Sequence, residues 1–101
     1  MPLLILGGKY MKIVIASIEK GWVVVEALDR VSTATLKTGE KVQYTIHKVL
    51  KGYIASDFEC GACIAVGKTQ KDLKNRVKYK LSNTTHEAYL EAQEKIWRLM
   101  S

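Results

Sequence analysis

Cysteine and proline are nearly absent from this sequence. Its 101 residues include only two cysteines and one proline. Two cysteines are too few for the disulfide framework of a small secreted protein, and a chain of this length can bury an ordinary core without one. The scarcity of proline and the lack of any low-complexity tract argue against a long disordered segment. We therefore expect a folded protein with reduced thiols.

Long apolar runs are also missing. No stretch approaches the roughly 18 consecutive apolar residues that a membrane helix requires, so we expect a cytoplasmic protein that makes no membrane contact. The apolar stretch within the first ten residues is too short for a secretory signal. We expect residues 1–10 to be either an N-terminal extension or an edge strand, and residues 11–101 to form a single domain.

Acidic residues are outnumbered by basic ones. The chain has 16 Lys and Arg against 10 Asp and Glu, a formal net charge of +6. Between Lys68 and Lys80 there are six cations and one anion, Asp72, so most of the excess charge is concentrated in this segment. A concentrated positive charge favours acidic partners, either nucleic acid or an acidic protein surface.

Short β-prone runs punctuated by glycine fill the first two thirds of the chain. Two runs separated by Glu19-Lys20-Gly21 predict a hairpin, and two more, separated by a turn that contains Gly39, predict a second. Further runs follow Gly52 and Gly61. The predicted strands cover residues 12–18, 22–28, 31–36, 42–48, 53–58 and 62–66.

The fourth of these runs alternates apolar and polar residues. Its polar face carries Gln43, Thr45 and His47, which predicts a sheet with one covered and one wetter side. With the helices described next, the pattern predicts an α+β fold. It consists of an antiparallel sheet of five or six strands followed by two C-terminal helices that pack on one face.

The first helix is predicted from its cap and its apolar spacing. Thr69 is suited to the N-cap and Asp72 places negative charge in the first turn. Leu73, Val77 and Leu81 then recur every four residues, which predicts a helix through about Lys78. Residues 76–81 also alternate with a period of two, so a basic strand is the alternative there.

The second helix is predicted over residues 85–100. Thr84 and Glu87 have the spacing of a capping box. Leu90 and Trp97, seven residues apart, indicate either a wider apolar face or a homodimer contact. The predicted apolar stripe consists of Tyr89, Ala92, Ile96 and Leu99 or Met100.

Two motifs suggest chemistry that the sequence does not support further. Residues 62–69 fit a loose phosphate-loop pattern, but Ile64 and Val66 are bulky where small residues are needed. Cys60 and Cys63 have C-x-x-C spacing, but they lead into a strand and not into a helix that would lower a thiol pKa. We predict no catalytic residues, no cofactor and no metal, since His47 and His86 are the only histidines and have no recognised ligand spacing.

The basic segment gives the leading functional prediction. In a helix, lysines at spacings of three and four share one side. Tyr79 is the only aromatic residue among them, which leaves little for base stacking and favours contacts to backbone phosphates. We predict a small non-enzymatic nucleic-acid-binding accessory protein that contacts phosphates through Lys68, Lys71, Lys74, Arg76, Lys78 and Lys80.

Part of the chain resembles several small protein families. The segment from Tyr44 to Leu81, with strand, turn, strand, Gly-Lys-Thr-x-x-Asp and amphipathic helix, resembles the core of HicB-type antitoxins. Its strand-to-helix step is also similar to those of double-stranded-RNA-binding domains and integrase arm-binding domains. The similarity covers about a third of the chain and consists of a turn and a cap, so no functional residue is carried over. The alternative function is a protein-binding inhibitor or antitoxin-like module that acts on one protein partner through a sheet edge or the C-terminal helix.

Overall fold

The computed structural model describes residues 10–17, 19–28 and 30–100. It confirms the predicted α+β class, with a six-stranded antiparallel sheet followed by two C-terminal helices. Residues 1–9 lie outside this description, so the expectation of an N-terminal extension or edge strand over residues 1–10 stays a prediction; Tyr10 begins the first strand. The elements are β1 (Tyr10–Ser17), β2 (Gly21–Leu28), β3 (Ser32–Thr35), β4 (Lys41–Val49), β5 (Gly52–Asp57), β6 (Cys63–Gly67), α1 (Gln70–Ser82) and α2 (His86–Met100).

The sheet is built around β4. The strand order of the sheet is β1-β2-β4-β5-β6. Strand β3 pairs with the first half of β4. Strand β2 pairs with the second half of β4, where Ala27 lies opposite His47. Both predicted hairpins are present, and β1 and β2 pair along their whole length from Tyr10 opposite Leu28 to Ser17 opposite Gly21. Among the described strands, β1 and β6 are therefore the edges at the two ends of this order, and β3, which pairs only with β4, is a further edge strand.

Helix α1 covers one face of the sheet. Leu73, Val77 and Leu81 are at most 2% exposed and belong to a core cluster that includes Ile46 and Ala55 of the sheet. The helix continues to Ser82, so the basic strand considered for residues 76–81 is wrong. Its four-residue apolar spacing buries one complete stripe against the sheet, which period-two pairing could not do.

The opposite face of β4 is covered at Thr45 and His47, which contradicts the predicted wetter side there, whereas Gln43, the third polar residue of that face, is exposed as predicted. Thr45 and His47 are 1% and 5% exposed. The sheet curls, so that edge strand β1 comes back to the turn after β5, where the Ala16 amide donates to the Gly61 carbonyl at 3.0 Å. Alternation along one strand cannot reveal this cover, because residues distant in the chain supply it.

Helix α2 departs from its prediction in two details. Thr85 and not Thr84 caps it, since Thr85 Oγ1 accepts from the Ala88 amide at 3.2 Å, whereas the Thr84 hydroxyl donates to the Lys80 carbonyl at the end of α1. Its buried residues are Tyr89 and Gln93, while Ala92 and Leu99 are exposed.

None of the helices described here is both long and apolar enough to span a membrane.

We expect Gly61→Ala to destabilise the protein much more than Gly21→Ala. The two glycines have nearly equal φ angles, +74° and +76°, but a Cβ at Gly61 would lie 2.7 Å from Ile15 Cα, whereas one at Gly21 would meet nothing within 4 Å. Positive φ alone costs about 1 kcal/mol, and the clash should raise the loss at Gly61 to about 3 kcal/mol. Urea unfolding measures both, and equal losses would show that β1 does not pack on this turn.

Candidate nucleic-acid interface

The strand-to-helix step at Gly67 is a packing feature. Thr69 Oγ1 accepts from the Asp72 amide at 3.0 Å, which confirms the predicted N-cap. A Cβ on Gly67 would lie 2.8 Å from the Leu73 amide nitrogen, so only glycine lets β6 approach the first turn of α1 so closely. The phosphate-loop-like pattern is thus accounted for by close packing of a strand on its own helix.

Three of the predicted contact residues form one exposed surface. Lys71, Lys74 and Lys78 follow the spacing of three and four that places side chains on one side of a helix, and all three are exposed. No described acidic side chain forms an ion pair with them. We call these three residues the lysine flank.

Two other predicted contact residues lie on the opposite flank of α1. Arg76 Nε is 3.1 Å from Asp72 Oδ2, one helical turn earlier, and Lys80 Nζ donates to the Ile64 carbonyl of β6 at 2.8 Å. Lys68 is exposed just before the helix. The Asp72-to-Arg76 spacing of four is a recognisable signal for such a pair, whereas the Lys80 contact depends on tertiary structure.

Among the described residues, no acidic side chain of α2 forms an ion pair with the lysine flank. Glu94 pairs with Arg98 within α2. His86, at the start of α2, lies with its Nδ1 3.5 Å from Glu40 Oε2. The positive charge of the lysine flank is therefore available to an external anion.

A buried polar cluster, which sequence reasoning missed, joins α2 to the end of β5. Asp57 is 4% exposed. One of its oxygens accepts from the Cys60 amide at 2.8 Å and from Gln93 Nε2 at 2.9 Å, and the other accepts from the Tyr89 hydroxyl. We call Asp57, Cys60, Tyr89 and Gln93 the Asp57 cluster. A carboxylate with three donors is satisfied without a cation.

Burial sets the proton chemistry of the Asp57 cluster. Desolvation raises the pKa of the Cys60 thiol to about 12, with the Asp57 carboxylate adding to the effect. Desolvation and the hydrogen bond to Asp57 likewise raise the pKa of Tyr89. Both groups therefore stay protonated at neutral pH, and a thiol in that state is a poor nucleophile.

The two cysteines of the C-x-x-C motif have different surroundings. Cys60 is buried in the Asp57 cluster, and Cys63 is exposed on β6; both are free thiols. Across residues 10–17, 19–28 and 30–100, no three His, Cys, Asp or Glu side chains are grouped closely enough to hold a metal ion.

A cavity of about 120 Å³ lies between α1, β6 and α2 beside Cys63 and Tyr89.

His47 is buried without a partner for one of its ring nitrogens. It is 5% exposed, and within the described part of the chain its Nδ1 has no hydrogen bond. Desolvation lowers the pKa of the imidazole below its usual 6.5. At neutral pH, the folded protein therefore holds this side chain uncharged.

We expect Asp57→Asn to lower the free energy of unfolding by about 2–3 kcal/mol. The amide that replaces one carboxylate oxygen would face a donor, and a hydrogen bond to a charged group contributes roughly this much. Tyr89→Phe should cost about 1 kcal/mol by removing one donor. Glu94→Gln, the same acid-to-amide change at an exposed ion pair, should cost under about 0.5 kcal/mol. Urea unfolding measures these losses. Equal losses in the free energy of unfolding for Glu94→Gln and Asp57→Asn would contradict a stabilising role for the buried Asp57 carboxylate.

We expect His47 to make the protein less stable as the pH falls below about 6.5. The unfolded chain binds a proton near pH 6.5 while the folded chain, with its lowered pKa, does not. The contribution is therefore complete above pH 6.5 and is lost as the pH falls toward the folded pKa. His47→Leu should flatten the stability profile between pH 7 and 5. Parallel profiles for the wild type and His47→Leu would refute the assignment.

No protein-family model, curated protein sequence or solved structure matches this chain. The function is therefore inferred from the charge distribution, burial and hydrogen bonding of the chain itself.

Proposed function

We propose that this protein is a small non-enzymatic accessory protein that binds nucleic acid through backbone phosphates, using the lysine flank and Lys68. The observation that supports the proposal is the exposure of three neighbouring lysines on one side of α1 without an acidic partner among the described residues. Exposed, unpaired cations on one surface are what counterion release from a phosphate backbone requires.

The length of the lysine flank suits a short row of phosphates. Lys71 and Lys78 are seven residues apart, which corresponds to about 10 Å along a helix. Phosphates on one strand of duplex DNA are spaced about 3.4 Å along the helix axis, so the flank reaches about three of them. Lysine binds phosphate as a point charge, and no base-reading group accompanies it. The binding should therefore depend little on sequence.

Arg76 and Lys80 take a different part in this proposal from the one predicted. They lie on the flank that faces β6, and each already interacts with a neighbouring oxygen. In the proposed binding mode, they add to the positive field that attracts nucleic acid but make no direct phosphate contact. The four direct contacts are Lys68, Lys71, Lys74 and Lys78.

A binding role agrees with the state of the reactive side chains. The Cys60 thiol is buried with a raised pKa, and His47 is enclosed in the sheet. The free thiols suit the reducing cytoplasm, where we propose that the protein acts. The predicted homodimer through Leu90 and Trp97 stays a prediction; their side chains are 48% and 46% exposed.

A salt titration tests the phosphate proposal. The four phosphate contacts, three from the lysine flank and one from Lys68, predict a slope of about −3.6 for log affinity against log salt on duplex DNA, or roughly a 150-fold loss for a fourfold rise in salt. Lys71→Glu/Lys74→Glu should weaken binding at least tenfold at low salt. Fluorescence anisotropy with duplex, single-stranded and RNA oligomers measures both effects.

The matched control reverses two charges elsewhere. Lys41→Glu/Lys95→Glu changes the net charge equally, at two exposed lysines outside α1. Equal losses from the two double variants would show that net charge and not the lysine flank carries the binding. Absence of binding to all three oligomers at low salt would end the proposal.

A further inference from the structure

The outer edge of β6 has unused backbone hydrogen-bonding groups. Asp57 exchanges backbone bonds with the turn that precedes β6, since its amide donates to Ala62 at 2.8 Å and its carbonyl accepts from Gly61 at 2.9 Å. The register shifts between the pairs Ser56–Cys63 and Ala55–Ala65, with the extra residue, Ile64, on β6. Strand β5 therefore keeps its alternation, and Ala55 also faces β6 and bonds to its partner Ala65. The amide and carbonyl of Val66 therefore point away from β5, to an edge that no described strand occupies.

A groove runs along this edge between β6 and α1. It has a volume of about 440 Å³ and is lined by six residues from the two elements. Val66 and Tyr79 are 56% and 75% exposed. The groove thus combines free strand groups with apolar surface, the combination that binds an extended peptide as an added strand. The lining residues are Ala65, Val66, Asn75, Arg76, Tyr79 and Lys80.

The charged groups of the groove are positive on its helix side. Lys80 uses one ammonium proton on the Ile64 carbonyl, which leaves two for another acceptor. Arg76 uses Nε on Asp72, which leaves the terminal guanidinium nitrogens free to bind a carboxylate. Side chains of an added strand that point toward α1 therefore meet two cations.

We propose that the β6 edge binds an extended acidic peptide segment of a partner protein, added antiparallel to β6. Its alternate side chains would be carboxylates facing Arg76 and Lys80 and apolar groups facing Val66. This proposal does not depend on nucleic-acid binding, because it uses the opposite flank of α1.

The charge of the groove also disfavours a second copy of this chain as the occupant. Pairing two β6 edges would bring Arg76 and Lys80 of each copy toward the same groove, and like charges at close range are unfavourable. An acidic strand offers the same backbone bonds together with opposite charge. A partner of that chemistry is therefore the better fit.

Titration with defined peptides tests the proposal. The probe is acetyl-Glu-Val-Glu-Val-Glu-Val-Glu-amide, followed by ¹H–¹⁵N NMR on the full chain. We expect shifts confined to β6 and the second half of α1, and slower hydrogen exchange at the Val66 amide. The peptide with lysine in place of glutamate should not bind.

N-methylated peptides test strand pairing directly. In the expected register, the valine amides point at β6 and the glutamate amides point away. Methylating the valine amides should therefore weaken binding at least tenfold, whereas methylating the glutamate amides should leave it within about threefold. A one-residue slip would not rescue the first peptide, because it would move the carboxylates away from the two cations.

Variants of the protein separate local charge from net charge. Arg76→Glu should weaken binding of the glutamate–valine peptide roughly tenfold, and Lys95→Glu, an equal charge change on exposed α2 surface, should not. Circular dichroism confirms that both variants are folded. The proposal fails if the shifts map elsewhere, if both methylated peptides bind equally, or if the Val66 amide is already protected in a peptide-free dimer.

Discussion

The buried carboxylate of Asp57 is the constraint on which the arrangement of the C-terminal half depends. An ion removed from water costs several kcal/mol unless its hydrogen bonds are replaced, and none of the ion pairs among the described residues includes Asp57. Its donors come from the turn after β5 and from two residues of α2. All of them must be in place together, so the carboxylate fixes α2 on the sheet. This matters because Tyr89 and Gln93 are the buried residues of that helix.

The same turn also fixes the other end of the sheet. Gly61, one residue after Cys60, contacts the backbone of β1 closely enough that no side chain fits between them. The turn over residues 58–62 thus joins edge strand β1, strand β5 and helix α2. Because the sheet curls to make this contact, Thr45 and His47 are enclosed. Meanwhile α1, held by its own apolar stripe, keeps both flanks exposed.

Local signals in the sequence predicted the elements and failed where distant residues decide the outcome. The Thr69 cap and the four-residue spacing of Leu73, Val77 and Leu81 are properties of a few adjacent residues, and α1 forms as they indicate. The polar side chains of β4 looked solvent-facing because their cover, the curled β1–β2 hairpin, comes from another part of the chain. The role of Gln93 was missed for the same reason, because its side chain donates a hydrogen bond to Asp57, which is 36 residues away in the chain.

For the candidate site too, the local spacing of residues was predictable from the sequence and the contacts with distant residues were not. Helical periodicity alone groups Lys71, Lys74 and Lys78, and separates them from Arg76 and Lys80. What periodicity could not show is which groups Arg76 and Lys80 would meet. The Ile64 carbonyl accepts from Lys80 only because the core packing of α1 brings the two together.

The Lys80 contact explains how one helix can present two surfaces with different chemistry. The unpaired backbone groups of an edge strand can pair with the edge of another sheet, and lysine side chains at the edge limit such pairing. Lys80 occupies the Ile64 carbonyl and places its charge at the edge, which leaves the outward groups of Val66 open to a strand but repels a basic one. The lysine flank has no such backbone groups near it and offers charge alone. In the two proposals, the lysine flank binds a polyanion of any sequence and the β6 edge binds a strand with a particular charge pattern. The burial of one apolar stripe on α1 leaves both flanks of the helix exposed for these two roles.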